Sequence, residues 1–154
     1  DIAVPLSQFA PTIRFSQELG EKYGLPTSIF GHAGDGNIHR HTLVPPNNTE
    51  ALAKGEQAAA DLIPKADVIA VTGSALINHT LDGLLALCSP GAVVMVLGPS
   101  TPLSPILFKY GVTILSGSRV VDEGAVLRTV GQGASFQQVD GVRLLSLINN
   151  KEDK

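Results

Sequence analysis

Three short segments with almost no polar residue, Asp67 to Val71, Ala92 to Leu97 and Val112 to Leu115, constrain this chain more than any other feature. Each has the length of a strand, and β-branched side chains dominate them. Between them the spacing predicts helices over Leu76 to Leu87 and Ser104 to Tyr110. Asp122 caps a further helix over Glu123 to Val130, and Val142 to Leu147 reads as a last edge strand. A strand that is apolar on both faces has to be covered on both, and strands alternating with helices are joined by crossovers. This part of the chain is therefore expected to be an α/β unit with a parallel sheet covered on both faces.

The first part follows a different order. Ile2-Ala3-Val4 reads as a short strand ended by Pro5. Ser7 stands where an N-cap is expected, Pro11 fits a first turn, and Phe9, Ile13 and Leu19 share one face of a helix that runs to Tyr23 and stops at Gly24. Thr27 to Phe30 and Arg40 to Val44 read as strands, and Thr49 caps an Ala-rich helix from Glu50 to Leu62. This β-α-β-β-α order begins a ferredoxin-like unit whose closing strand has no evident candidate. The expected organisation is a segment over residues 1–61, an α/β unit over 62–148 and a frayed tail over 149–154.

With 154 residues, 44% of them hydrophobic and 16% charged, the chain can bury a core unaided. No apolar run approaches the roughly 18 residues of a membrane span, so no membrane partner is expected. A net charge of −3 lacks the basic footprint of a nucleic-acid binder. The single cysteine, Cys88, cannot close an internal disulfide and reads as a buried, inert thiol, which points to a reducing, cytoplasmic setting. Charge and histidine divide unevenly. Residues 1–62 hold four Lys or Arg, seven Asp or Glu and three of the four histidines, whereas residues 63–154 hold seven charges of each sign.

Those histidines cluster in Gly31-His32-Ala33-Gly34-Asp35-Gly36-Asn37-Ile38-His39, followed by Arg40 and His41. Glycines let the backbone turn sharply, and the imidazoles of His32 and His39 around such a turn are candidate ligands for a divalent metal, with Asp35 able to add an oxygen. A tight hairpin carrying ordinary surface histidines explains the same spacing. The stretch resembles the signature of the C-terminal domain of FAD-linked oxidases, the glycolate oxidase and D-lactate dehydrogenase group, as do Asp1 to Ser7 and Glu21 to Leu25. The resemblance, over about residues 1–60, implies that His32 and His39 hold a metal and that Asn37 lies near flavin or substrate. The family's later Glu-His-Gly segment has no counterpart here, and FAD would come only through a partner domain.

In the second part Thr72-Gly73-Ser74, Ser100-Thr101 and Ser116-Gly117-Ser118-Arg119 are expected just past the C-terminal ends of parallel strands, where open α/β sheets bind ligands at a switch in strand order. Asn78 and Thr80 are placed in the first turn of the next helix, near the same rim, with His79 between them. Ser74, Asn78, Thr80, Ser100, Thr101, Ser118 and Arg119 are therefore the candidate ligand-binding residues, with Arg119 suited to a carboxylate or phosphate. Ordinary turn chemistry accounts for any one of these loops. Neither a GxGxxG fingerprint nor a Walker loop is present, and Ser74 has no identifiable base partner.

The blocks Ala66 to Leu81, Leu97 to Leu103 and Gly111 to Val120 are similar in order and spacing to the C-terminal domain of the heavy-metal chelation family, a match over about residues 62–147. That resemblance implies a Rossmann-like fold. The leading expectation is a small-molecule or metal-ion binding protein of that type, with a small anion or metal ion as partner and a homodimer as assembly. One alternative is a substrate-domain fragment of a flavin-dependent 2-hydroxy-acid oxidase; another is a chimera without selected function.

Overall fold

The computed structural model describes residues 2–149. Of the tail expected over 149–154 only Asn149 falls among them, and its N–H donates to the Thr113 carbonyl at 2.9 Å. The chain forms two compact units, one up to Leu62 and the other from Ile63 onward.

The first unit contains β1 (Ile2–Ala3), α1 (Leu6–Tyr23), β2 (Thr27–His32), β3 (Asn37–Thr42) and α2 (Thr49–Ala60). Its three strands lie in the order β1-β3-β2, both pairings antiparallel, which is the 1-3-2 part of a ferredoxin-like sheet. Helix α1 packs against β2, β3 and α2. Ser16, Leu19 and Gly20 of α1, Ile38 of β3, and Ala51 and Ala58 of α2 are buried.

The termini of these elements differ from expectation for local reasons. Helix α1 begins at Leu6, because Gln8 N–H already donates to the Pro5 carbonyl at 2.8 Å, and Ser7 lies inside it. Pro11 consequently sits within the helix and leaves the Ser7 carbonyl without its usual i+4 donor. Asn48, one residue before the expected Thr49, caps α2 through Oδ1, which accepts from Ala51 N–H at 2.9 Å. The hairpin strands extend further toward each other than the sequence indicates. Gly36 turns the chain with φ 75°, and a Cβ there would meet the Val4 carbonyl, so only glycine fits.

The second unit holds β4 (Val68–Thr72), α3 (Ser74–Ile77), α4 (Leu81–Leu87), β5 (Val93–Leu97), a 3-10 helix (Pro105–Tyr110), β6 (Ile114–Val120), α5 (Glu123–Gly131) and β7 (Val142–Ile148). The sheet order is β4-β5-β6-β7, with the first three strands parallel and β7 antiparallel to β6. The fold class is thus α/β, a mostly parallel sheet preceded by a small antiparallel one. Asp122 caps α5 as its sequence predicts, accepting from Ala125 N–H at 2.9 Å.

Four expectations are corrected here. The helix expected over Leu76 to Leu87 is broken at Asn78–Thr80. His79 takes φ 59°, Thr80 N–H donates to the Ala75 carbonyl at 2.9 Å, and His79 N–H to the Leu76 carbonyl at 3.4 Å, the Schellman ending normally completed by glycine. Strand β6 continues to Val120, so Ser116 to Arg119 lie in a strand and not in a loop; β7 supplies the hydrogen bonds that extend it. The sheet order has no reversal, so the unit has no switch point among its described strands. Finally, one sheet face is covered and the other is not.

That last point follows from topology. Strands added in sequence by right-handed crossovers place every crossover on the same side. Val71, Val96 and Leu115 accordingly pack with Ala75 and Leu81, joined by Leu76, Leu84, Leu103 and Leu107 from the crossovers. On the opposite face Val68, Leu144 and Ile148 are 59%, 72% and 60% exposed.

Candidate functional site

Two loops leave the C-terminal ends of the parallel strands and are locked together. Gly73 N–H, just after β4, donates to the Leu97 carbonyl at the end of β5 at 2.8 Å. Gly98 N–H donates to Ser116 O at 3.0 Å, and Thr101 N–H closes a turn onto the Gly98 carbonyl at 3.0 Å. The approach of the loops depends on Gly73, since a Cβ there would stand 2.6 Å from both N and Oγ1 of Thr101. Gly117 in β6 plays the same part beneath the Thr101 carbonyl and the Leu103 side chain. Thr101 is 3% exposed, and its Oγ1 has no hydrogen-bond partner among the described residues. Buried hydroxyls are nearly always paired; the Ser16 hydroxyl of α1 shares this state, and Thr101 is the one that lies in the strand-end loops.

Of the seven residues expected at this rim, Arg119 lies in β6 and the other six fall into three groups. Ser100 and Thr101 lie in the second loop, with Ser100 exposed. Ser74 follows Gly73 and its Oγ shares a hydrogen bond with Thr72 Oγ1 at 3.0 Å; Ser118 Oγ donates to the Pro99 carbonyl at 2.9 Å. Asn78 and Thr80 do not sit in a helical first turn, because the helix is broken there. Asn78 Oδ1 accepts from Thr80 Oγ1 at 2.7 Å, and neither side chain bonds to the 98–101 loop. Helix α3 has four residues, too short for an appreciable dipole at its start. The sequence reading missed Arg143, which β7 sets directly opposite Arg119 of β6. Only the antiparallel return of β7 brings it there, and no local motif signals that pairing.

The side-chain donors of the loops at the rim are hydroxyls, while the amides of Gly73, Gly98 and Thr101 are paired with backbone carbonyls. Soft metals select thiolates, and hydroxyl groups are poor ligands for them. Cys88, at the end of α4, donates Sγ–H to the Leu84 carbonyl at 3.3 Å, and burial pushes its pKa up, away from the thiolate. The arrangement suits a polar small molecule better than a bare heavy-metal ion.

In the first unit, alternation along β2 and β3 puts Phe30, His32, His39 and His41 on the sheet face opposite buried Ile38. The His32 and His39 rings lie 5.7 Å apart and nearly perpendicular at 88°. Phe30 stands between His39 and His41, 5.2 Å and 5.0 Å from their rings. Both histidines expected around a turn thus sit in paired strands, which brings them onto one face. Asp35 does not join them as a third donor: its Oδ1 accepts from Asn37 N–H at 3.1 Å and stabilises the turn. Among the described residues no group of three or more His, Cys, Asp or Glu could hold a metal. A metal at His32 and His39 would have two protein donors and take its remaining ligands from what it binds.

Comparison with known proteins gives two groups of matches. A family profile, DUF364, described as "Putative heavy-metal chelation", matches residues 41–148, so the match begins within β3 and takes in α2. A protein of unknown function from that family in Desulfitobacterium hafniense is similar with a TM-score of 0.53 and 29% identity, over 60% of this chain and 38% of its own. The D-lactate dehydrogenase of Archaeoglobus fulgidus is 50% identical over 44 residues, 29% of this chain and 10% of that protein. Glycolate oxidase subunit GlcD of Bacillus subtilis is 35% identical over 66 residues, 43% of this chain and 14% of that protein. The chain therefore spans well under half of each of these proteins.

Proposed function

Because the chain belongs to the heavy-metal chelation family DUF364, we propose that it binds a small polar ligand at the rim formed by residues 72–74, 98–101 and 117–119 and, at a second and separate site, a divalent metal ion at His32 and His39. The observation that carries this reading is the buried, partnerless Thr101 hydroxyl, held against Gly73 at the C-terminal ends of parallel strands. Ser74 follows Gly73, Ser100 precedes Thr101 and Ser118 bonds to Pro99, while Arg119 continues β6 and Asn78 and Thr80 follow Ser74 in the chain. At the histidine face, a site of its own, a metal held by the two imidazoles would supply Lewis acidity toward a hydroxyl or carboxylate of whatever ligand completes its coordination.

A second reading is favoured by the two histidines on one open sheet face and by the short matches to D-lactate dehydrogenase and glycolate oxidase. In it, the first unit is part of the substrate domain of a flavin-dependent 2-hydroxy-acid oxidase, and FAD arrives on a partner domain.

Elemental and native mass spectrometry on the purified protein test these readings together. Near-stoichiometric metal that His32→Ala/His39→Ala loses, together with a small-molecule adduct that Thr101→Val loses, is the expected result. Metal kept by the double variant moves the metal to the rim. Neither metal nor adduct in the wild type overturns the proposal and leaves a fused chain without a selected ligand.

A further inference from the structure

We propose that Arg119 and Arg143 act as a pair that grips an oxyanion, a phosphate or carboxylate group, on the molecule bound at the rim. This names a ligand class for the site proposed above and rests on that reading. Strand β5 pairs with β6 only as far as Leu97 with Ser116, whereas β6 and β7 stay paired through Val120 with Val142. From Gly117 onward β6 and β7 therefore rise past the end of β5 as a two-stranded ribbon bordering the rim. Arg119 and Arg143 are direct partners on that ribbon and so share one face, the face that also carries Leu115, Gly117, Leu145 and Leu147. Two positions back along the same face, Gly117 lies beneath the Thr101 carbonyl.

Like charges directly opposite each other in an antiparallel pair oppose folding. Here nothing offsets them: among the described residues neither guanidinium makes an ion pair or a side-chain hydrogen bond. The nearest acids in sequence are Asp122 and Asp140, each three positions from one arginine; neither is in an ion pair among the described residues, Asp122 accepts at the α5 cap through Oδ1, and Ser118 Oγ is committed to Pro99. Two planar guanidinium forks on directly facing, exposed positions of the ribbon match an oxyanion, which each fork can bind bidentately. Lysines would offer point charges without that directionality. Arg119 alone resembles any surface arginine; the register gives it a second donor fork.

The test is a titration of the full chain with inorganic phosphate, and in parallel acetate, at constant ionic strength, followed by backbone amide shifts and thermal midpoint. Phosphate or acetate should raise the wild-type midpoint where chloride does not. Arg119→Gln or Arg143→Gln should weaken binding at least tenfold, while Arg128→Gln, an equal charge change on α5, should leave it intact. The tighter of the two anions identifies the group. In low salt without anion, Arg143→Gln should also melt higher than wild type, because the like-charge pair is relieved. Equal binding by Arg143→Gln, equal loss in Arg128→Gln, or a response no different from chloride overturns the proposal. Amide shifts confined to the ribbon support the pair and sink the rim reading. Shifts at residues 73 and 98–101 that Arg143→Gln leaves unchanged do the reverse.

Discussion

At the scale of single residues, the rim depends on a missing methyl group. The Thr101 backbone occupies the space a Cβ on Gly73 would need, and that backbone is itself held by the turn onto Gly98. Gly73→Ala should therefore cost about 1–3 kcal/mol as the loops are forced apart. Urea unfolding should show it as a lower midpoint at unchanged slope, whereas Gly34→Ala, with open space around the added methyl, should move the midpoint little. An unchanged midpoint for Gly73→Ala means that the two loops are not packed as described. Residue identity was legible in the chain at this scale: Thr101, Ser100, Arg119, His32 and His39 could all be singled out. Their roles were only partly so. Asp35 serves the turn, Asn78 and Thr80 serve each other, and Arg143 carried no local signal at all.

At the scale of elements, Asp61 joins the C-terminal ends of α1 and α2. Its Oδ2 accepts from Lys22 Nζ at 2.7 Å and from Tyr23 Oη–H at 2.8 Å, and these bonds hold its carboxyl below the usual range. A depressed folded pKa stabilises the protein above the unfolded value of about 4 and ceases to do so as pH falls through the folded one. Asp61→Asn should therefore lower stability at neutral pH and flatten the acid limb of the stability profile below about pH 4. Urea midpoints taken across that range would read the effect, and parallel profiles for the two proteins would remove Asp61 from this role. Element existence was largely legible from apolar runs and caps, as Asp122 and α5 illustrate. The break at His79 was not, because a histidine in the left-handed region carries no warning comparable to glycine. Nor was the full length of β6, since Ser116 to Ser118 looks like loop until β7 pairs with it.

At the scale of the whole molecule, the larger sheet leaves Val68, Leu144 and Ile148 exposed on one face. Large exposed apolar surfaces promote association, so the chain is expected to sediment as a concentration-dependent dimer or larger species. Replacing Leu144 and Ile148, both more than half exposed, with lysine should shift it toward monomer. A wild type that stays monomeric across the concentration range would refute the expectation. No helix among the described residues is long and apolar enough to cross a membrane. Hydrophobic periodicity, glycine placement and capping residues are local properties, and they were enough by themselves to indicate an α/β chain in two parts with a histidine-bearing hairpin. Strand order, the single covered face, the buried hydroxyl of Thr101 and the facing arginines all come from pairings between residues far apart in the chain. Such contacts form only when the sheet assembles, and they left no pattern in the local sequence that spacing could detect.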